Sequence, residues 1–177
     1  IIAGHSMGGY TALVFARMFP EKTKAISLIH SSAYADSEER KTNRRKAIAL
    51  IGKGELEKEI FLKSMAPNLF AERFRNAHPE IIRRIIEKGK SLSSATLISF
   101  YRAMLEREDV SEVLKNATFP VQWIIGDEDT STPMKDALEQ AHLAAVNSIS
   151  IYRDCGHMSM LERPAALIRE VDAFFTF

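Results

Sequence analysis

Four short apolar runs punctuate the chain: Ile1 to Ala3, Ala25 to Ile29, Val121 to Ile125 and Ser148 to Tyr152. Each is rich in branched residues and bounded by turn formers, the pattern of strands covered on both faces in a parallel sheet. Between and after them, apolar positions recur at helical spacing. Gly8 to Phe19 predicts a helix closed by Pro20, and Pro133 to Ala144 predicts another with proline in its first turn. A third starts at Pro164 and carries Leu167, Ile168, Val171, Phe174 and Phe175 along one stripe. Strand alternating with helix implies right-handed crossovers and an α/β fold with a parallel sheet flanked by helices.

From about Asp36 to about Asn116 the rhythm breaks. No strand pattern occurs there, and apolar residues fall at helical spacing: Ala47, Leu50 and Ile51; Ile81, Ile82, Ile85 and Ile86; Leu97, Ile98, Tyr101, Met104 and Leu105. Gly52, Gly54, Pro67, Pro79 and Gly89 punctuate them. That is too many helices for one crossover. The expectation is a core from 1–35 and 117–177, with 36–116 as an inserted helical cap. The mixed charges from Glu38 to Lys46 at its start read as the wet face of an amphipathic helix rather than an anion-binding patch.

Composition changes this picture little. Hydrophobic residues make up 46% of the 177, enough for a core, and the net charge of +1 gives no electrostatic reason to expect nucleic acid or an anionic membrane. No apolar run approaches the roughly 20 residues that span a bilayer. The single cysteine, Cys155, reads as a small buried filler and asks for no oxidising compartment, so the expected location is cytoplasmic. Nothing in the pattern fixes an oligomeric state. The chain opens on Ile1-Ile2-Ala3 rather than Met, which reads as a trimmed start with sequence upstream.

The chemistry begins at Gly4-His5-Ser6-Met7-Gly8-Gly9, between a strand and a helix. Gly-x-Ser-x-Gly in that context matches a nucleophile elbow, where the chain reverses sharply and projects the serine in a strained conformation. Gly4 and Gly8 are expected to remove Cβ atoms that would collide, and Gly9 to let the helix pack closely. The backbone N–H of Met7, in the first turn, is placed to donate to a developing oxyanion.

A serine hydroxyl needs a base. Of the five histidines, His78 and His142 fall on helices as surface or packing residues, while His5 and His30 lie near the strand ends and are candidates for touching substrate. His157 follows the last strand, in Asp154-Cys155-Gly156-His157, at the sheet edge where ligands bind in open α/β sheets. The acid belongs between serine and histidine. Val121 to Ile125 ends in Gly126-Asp127-Glu128-Asp129, which offers Asp129, with Asp127 as the alternative and Glu128 facing solvent. A carboxylate there would accept the imidazole Nδ1–H and fix its tautomer.

With these motifs in place, the sequence resembles the α/β-hydrolase superfamily, in its capped branch of small serine esterases. The resemblance rests on Gly4 to Gly9, on Gly126-x-x-Asp129-x-x-x-Pro133, and on Gly156-His157 followed by Leu161-Glu162-Arg163-Pro164. It implies that Asp129 is the acid and that the insertion is the family's cap. It also implies a sheet of about eight strands, of which only the last four are here. The upstream loop that supplies a second oxyanion donor is expected to be missing. On that footing the 177-residue piece alone is expected to be inactive or poorly folded.

The implied reaction is acyl transfer through Ser6, on a small carboxylic ester or thioester, with no cofactor and no metal. Met65, Leu69 and Phe70 could line an acyl pocket, although core packing is the plainer role for each. The same triad serves carbon–carbon bond hydrolases, lactonases, perhydrolases and acyltransferases, and the fold also serves non-catalytic ligand-binding modules. Serine rather than aspartate at position 6 argues against the dehalogenase branch.

Overall fold

The computed structural model describes residues 1–176. In chain order its elements are β1 (Ile2–His5), α1 (Met7–Met18), β2 (Ile26–Ile29), α2 (Glu38–Ile51), α3 (Glu55–Met65), α4 (Glu72–Ala77), α5 (Pro79–Lys90), α6 (Ser94–Glu106), α7 (Ser111–Lys115), β3 (Val121–Gly126), α8 (Met134–Ala141), β4 (Asn147–Tyr152), α9 (Ser159–Glu162) and α10 (Pro164–Phe175). Two compact units emerge: residues 1–34, 69–74 and 109–177 in the first, and 35–68 with 75–108 in the second. Segment 69–74 therefore packs with the first unit although it lies within the helical stretch of the sequence.

In the first unit the four strands pair in parallel in the order β1-β2-β3-β4. Registers such as Gly4 with Leu28, Leu28 with Trp123 and Trp123 with Ile149 bring the C-terminal strand ends to one edge. Apolar residues alternate between the two faces. On one, Leu28, Trp123 and Ile125 pack with Ala12, Leu13 and Ala16 of α1, Leu114 of α7, and Ala137 and Ala141 of α8. On the other, Ile29, Ile124, Tyr152 and Cys155 meet Leu167 and Val171 of α10. Gln122 is a buried polar residue in this core: it accepts from Ser27 Oγ at 2.6 Å and donates to the Glu170 carbonyl at 2.9 Å, tying β2 and α10 to β3.

Two sequence expectations need correction. Only β2 and β3 are covered on both faces; β1 and β4 are the sheet's edges, and Ile149 and Ile151 of β4 are nearly half exposed. Helix α10 buries none of its residues fully. Its inward side is Leu167 and Val171, while Ile168 points to solvent, because one residue along a helix is a rotation of about 100°.

The second unit is helical, with Ile51, Leu62 and Leu97 at the centre of its own cluster and Met65 packed against them. Here the charged stretch of α2 is not simply a wet face. Buried Asp36 pairs with Arg44 and, at 2.9 Å, with Arg107. Burial works to raise the Asp36 pKa, but the two guanidinium groups more than offset it and hold the carboxyl below its usual range. Among the described residues no helix is long and apolar enough to cross a membrane.

Candidate active site

Ser6 sits between β1 and α1 with φ 51° and ψ −117°. A non-glycine residue at positive φ is strained, and the surroundings must hold it there. Three hydrogen bonds do so. The Ser6 N–H donates to the Ile29 carbonyl (2.9 Å), and the Ser6 carbonyl accepts from the Gly9 N–H (2.9 Å) and from Ser31 Oγ (2.8 Å).

The glycines around it divide differently from the sequence expectation. A Cβ on Gly4 would lie 2.4 Å from the Gly8 carbonyl carbon, and one on Gly9 would lie 2.2 Å from Ser31 Oγ. A Cβ on Gly8 would meet nothing within 4 Å. Gly8 is exposed, so its Cβ direction leads outward and the collision falls on Gly4 and Gly9. Met7 opens α1, which leaves its N–H among the first-turn donors that have no partner inside the helix.

Asp129 and His157 arrive from the turns after β3 and β4. His157 Nδ1 lies 2.8 Å from Asp129 Oδ2, and both side chains are almost wholly buried. The same oxygen accepts from Thr132 Oγ1 at 2.6 Å and faces His30 Nδ1 at 3.0 Å. The other oxygen accepts from the N–H groups of Ser131 and Thr132 at 2.8 and 2.9 Å. Burial works to raise the Asp129 pKa, but the hydrogen bonds from His157, His30 and Thr132 prevail and hold the carboxyl far below its usual range. Ionised at neutral pH, it fixes His157 as the Nδ1–H tautomer and leaves the Nε2 lone pair able to accept a proton. Asp127, by contrast, is exposed and accepts from the Cys155 N–H at 3.3 Å; exposed Glu128 accepts from the Glu72 N–H at 3.0 Å.

The loop carrying His157 is pinned from several sides. Its N–H donates to the Leu69 carbonyl at 2.8 Å, and its carbonyl lies 2.8 Å from His5 Nε2, which must be the donor. The Glu162 carboxylate, buried in α9, accepts from Gly156 N–H (3.0 and 3.1 Å), Met158 N–H (3.1 Å) and Ala71 N–H (2.9 Å). Gly156 serves as clearance rather than as a left-handed hinge: a Cβ there would lie 2.7 Å from the Ala71 nitrogen, and the left-handed residue of this loop is Asp154. Burial first, then the neighbouring His157 imidazole, pushes the His5 pKa down to about 4.

His5 and His30, expected near substrate, are thus engaged in protein contacts, and the His30 side chain has no exposed surface. Leu69 and Phe70 belong to the packing around the His157 loop: Phe70 is buried and stacks on Phe74 at 5.5 Å. In the sequence Glu162 stands only as part of the Leu161-Glu162-Arg163-Pro164 motif. Its function was invisible because it acts on backbone groups distant in sequence. Thr132 and Ser31 carried no signal at all. His30, Asp129 and His157 also bring metal-ligating atoms within 4.8 Å of one another, but the imidazole nitrogens facing the carboxylate hold the protons of the bonds just described, so a cation would have to displace both.

A family model described as "Serine aminopeptidase, S33" matches residues 1–164. The chain belongs to this family of α/β-hydrolases. Solved structures agree with its fold. A thermophilic esterase from Thermogutta terrifontis superposes with a TM-score of 0.89 at 25% identity, over 98% of this chain and 63% of its own. An α/β-hydrolase enzyme from a Medee basin deep-sea metagenome library gives 0.87 at 21% identity, over 99% of this chain and 64% of its own. The enol-lactonase from Burkholderia xenovorans gives 0.82 at 20% identity, over 99% and 65%. No protein of curated function matches the sequence. This S33-family chain therefore spans less than two thirds of the length of these structural relatives.

Proposed function

We propose that the protein is a serine hydrolase that cleaves small carboxylic esters or thioesters through an acyl-enzyme on Ser6. The observation that carries the reading is the buried 2.8 Å bond between His157 Nδ1 and the ionised Asp129, on a loop whose His157 carbonyl is bound by His5, the residue before a serine held at positive φ. Ser6 Oγ attacks the carbonyl carbon as its proton passes to His157 Nε2. The Met7 N–H, in the first turn of α1, donates to the oxyanion. The tetrahedral intermediate collapses, the C–O or C–S bond to the leaving group breaks, and His157 returns the proton to that group. Water, deprotonated by the same imidazole, then attacks the acyl-enzyme and releases the acid and free Ser6.

The resemblance to an esterase at 25% identity supports this substrate class. A lactone is a cyclic ester and falls under the same chemistry. A panel of chromogenic esters of graded acyl length tests the proposal in the full-length protein, with aminoacyl p-nitroanilides run alongside. Ester turnover that Ser6→Ala abolishes is expected. Faster cleavage of the anilides would replace the ester reading with a peptidase one, and turnover that survives Ser6→Ala would overturn the mechanism.

A further inference from the structure

His30 is a costly residue where it stands. It follows β2 at φ 47°, a conformation uncommon for non-glycine residues. Its side chain is fully buried, and its Nε2 has no hydrogen-bond partner. An apolar side chain of similar size would fill the same space without an unsatisfied nitrogen. What the imidazole supplies is a donor to Asp129 Oδ2, the oxygen that also receives His157. The next residue, Ser31, binds the Ser6 carbonyl. Two consecutive residues after β2 thus touch both halves of the proposed machinery.

We propose that His30 is a positioning residue that sets the basicity of His157 through Asp129: its Nδ1–H holds the carboxylate in one rotation and draws electron density from the oxygen His157 uses. The inference rests on the Ser6–His157–Asp129 reading above. The groups facing His157 are Asp129 from the turn after β3, His5 from the end of β1 and His30 from the loop after β2, while Glu162 of α9 binds the backbone N–H groups on either side of it and buried Cys155 stands two residues before it. Of these, His30 is the one whose removal acts on Asp129 directly. Without its donor, Oδ2 becomes a stronger acceptor for the His157 N–H. The protonated imidazole is then better stabilised relative to the neutral one, and the acid limb of the rate profile moves upward.

The test compares His30→Asn with His30→Leu in the full-length protein. Asparagine tolerates positive φ and can present an N–H where Nδ1 stood; leucine fills space without a donor. The readout is the acid limb of kcat/KM against pH on a chromogenic ester. His30→Asn is expected to keep the wild-type limb, and His30→Leu to move it upward by roughly half a unit to one unit. A folded His30→Leu protein with an unmoved limb would reduce His30 to a packing residue. If His30→Leu does not fold, the wild type still decides: with 15N-labelled histidine, NMR should show a slowly exchanging His30 Nδ1–H beside that of His157, and its absence overturns the proposal. The reading beneath fails separately, if Ser6→Ala hydrolyses the ester as wild type does.

Discussion

The carboxylate of Asp129 faces five donors, two backbone N–H groups on one oxygen and Thr132, His30 and His157 on the other. A carboxylate offers about four lone-pair sites, so this one has no freedom left to rotate. Asp129→Asn would turn an amide N–H toward one set of those donors and would favour the wrong tautomer of His157. We expect kcat to fall by about 10⁴-fold with the protein still folded by circular dichroism; a fall of less than tenfold would deny Asp129 the role of acid. At this scale the sequence was partly legible. Ser6, Asp129 and His157 stand in motifs whose spacing follows from strand ends and turns. His30 and Thr132 stand in none, because their work depends on which side chains the folded strand ends bring together. Gly8 misled for a related reason: a motif glycine signals a tight turn without saying which Cβ would collide.

Elements hold His157 in place as much as residues do. Glu162, on the short helix α9, joins the N–H groups on both sides of His157 to that of Ala71. Glu162→Gln turns a donor toward backbone donors, a conflict worth about 1–3 kcal/mol of stability. It should also lower kcat/KM, by up to about 10²-fold if the base shifts by an ångström; denaturant melts and ester kinetics measure the two effects, and a variant unchanged in both would refute the clamp. The bond from His5 to the His157 carbonyl ties the end of β1 to the same loop. His5 goes from an ordinary value of 6.5 to about 4, so between those values the unfolded chain binds more protons than the folded one. Its contribution to stability is therefore complete above pH 6.5 and is lost as pH falls toward 4. Urea midpoints should decline over that window, and His5→Gln, which keeps a donor for the carbonyl, should flatten that part of the decline; an identical slope in the variant would assign the loss elsewhere. Strand and helix positions were readable from periodicity. The outward turn of Ile168 and the exposed β4 edge were not, since an apolar pattern does not record where a neighbouring layer ends.

For the whole molecule, alternation of strand and helix was enough to read a parallel sheet, because right-handed crossovers leave few other ways to connect four such strands. The return of segment 69–74 from the helical stretch into the first unit was not readable. It is fixed by backbone bonds, Leu69 carbonyl to His157 and Ala71 N–H to Glu162, which no side-chain pattern encodes. Those bonds make the order of the whole unit a condition for placing one imidazole. The most direct test of the central claim is covalent. A fluorophosphonate probe should react with the folded full-length protein, mass spectrometry should place the adduct on the peptide containing Ser6, and Ser6→Ala should remain unlabelled. An adduct on another residue, or a folded wild type that never labels, would contradict the account.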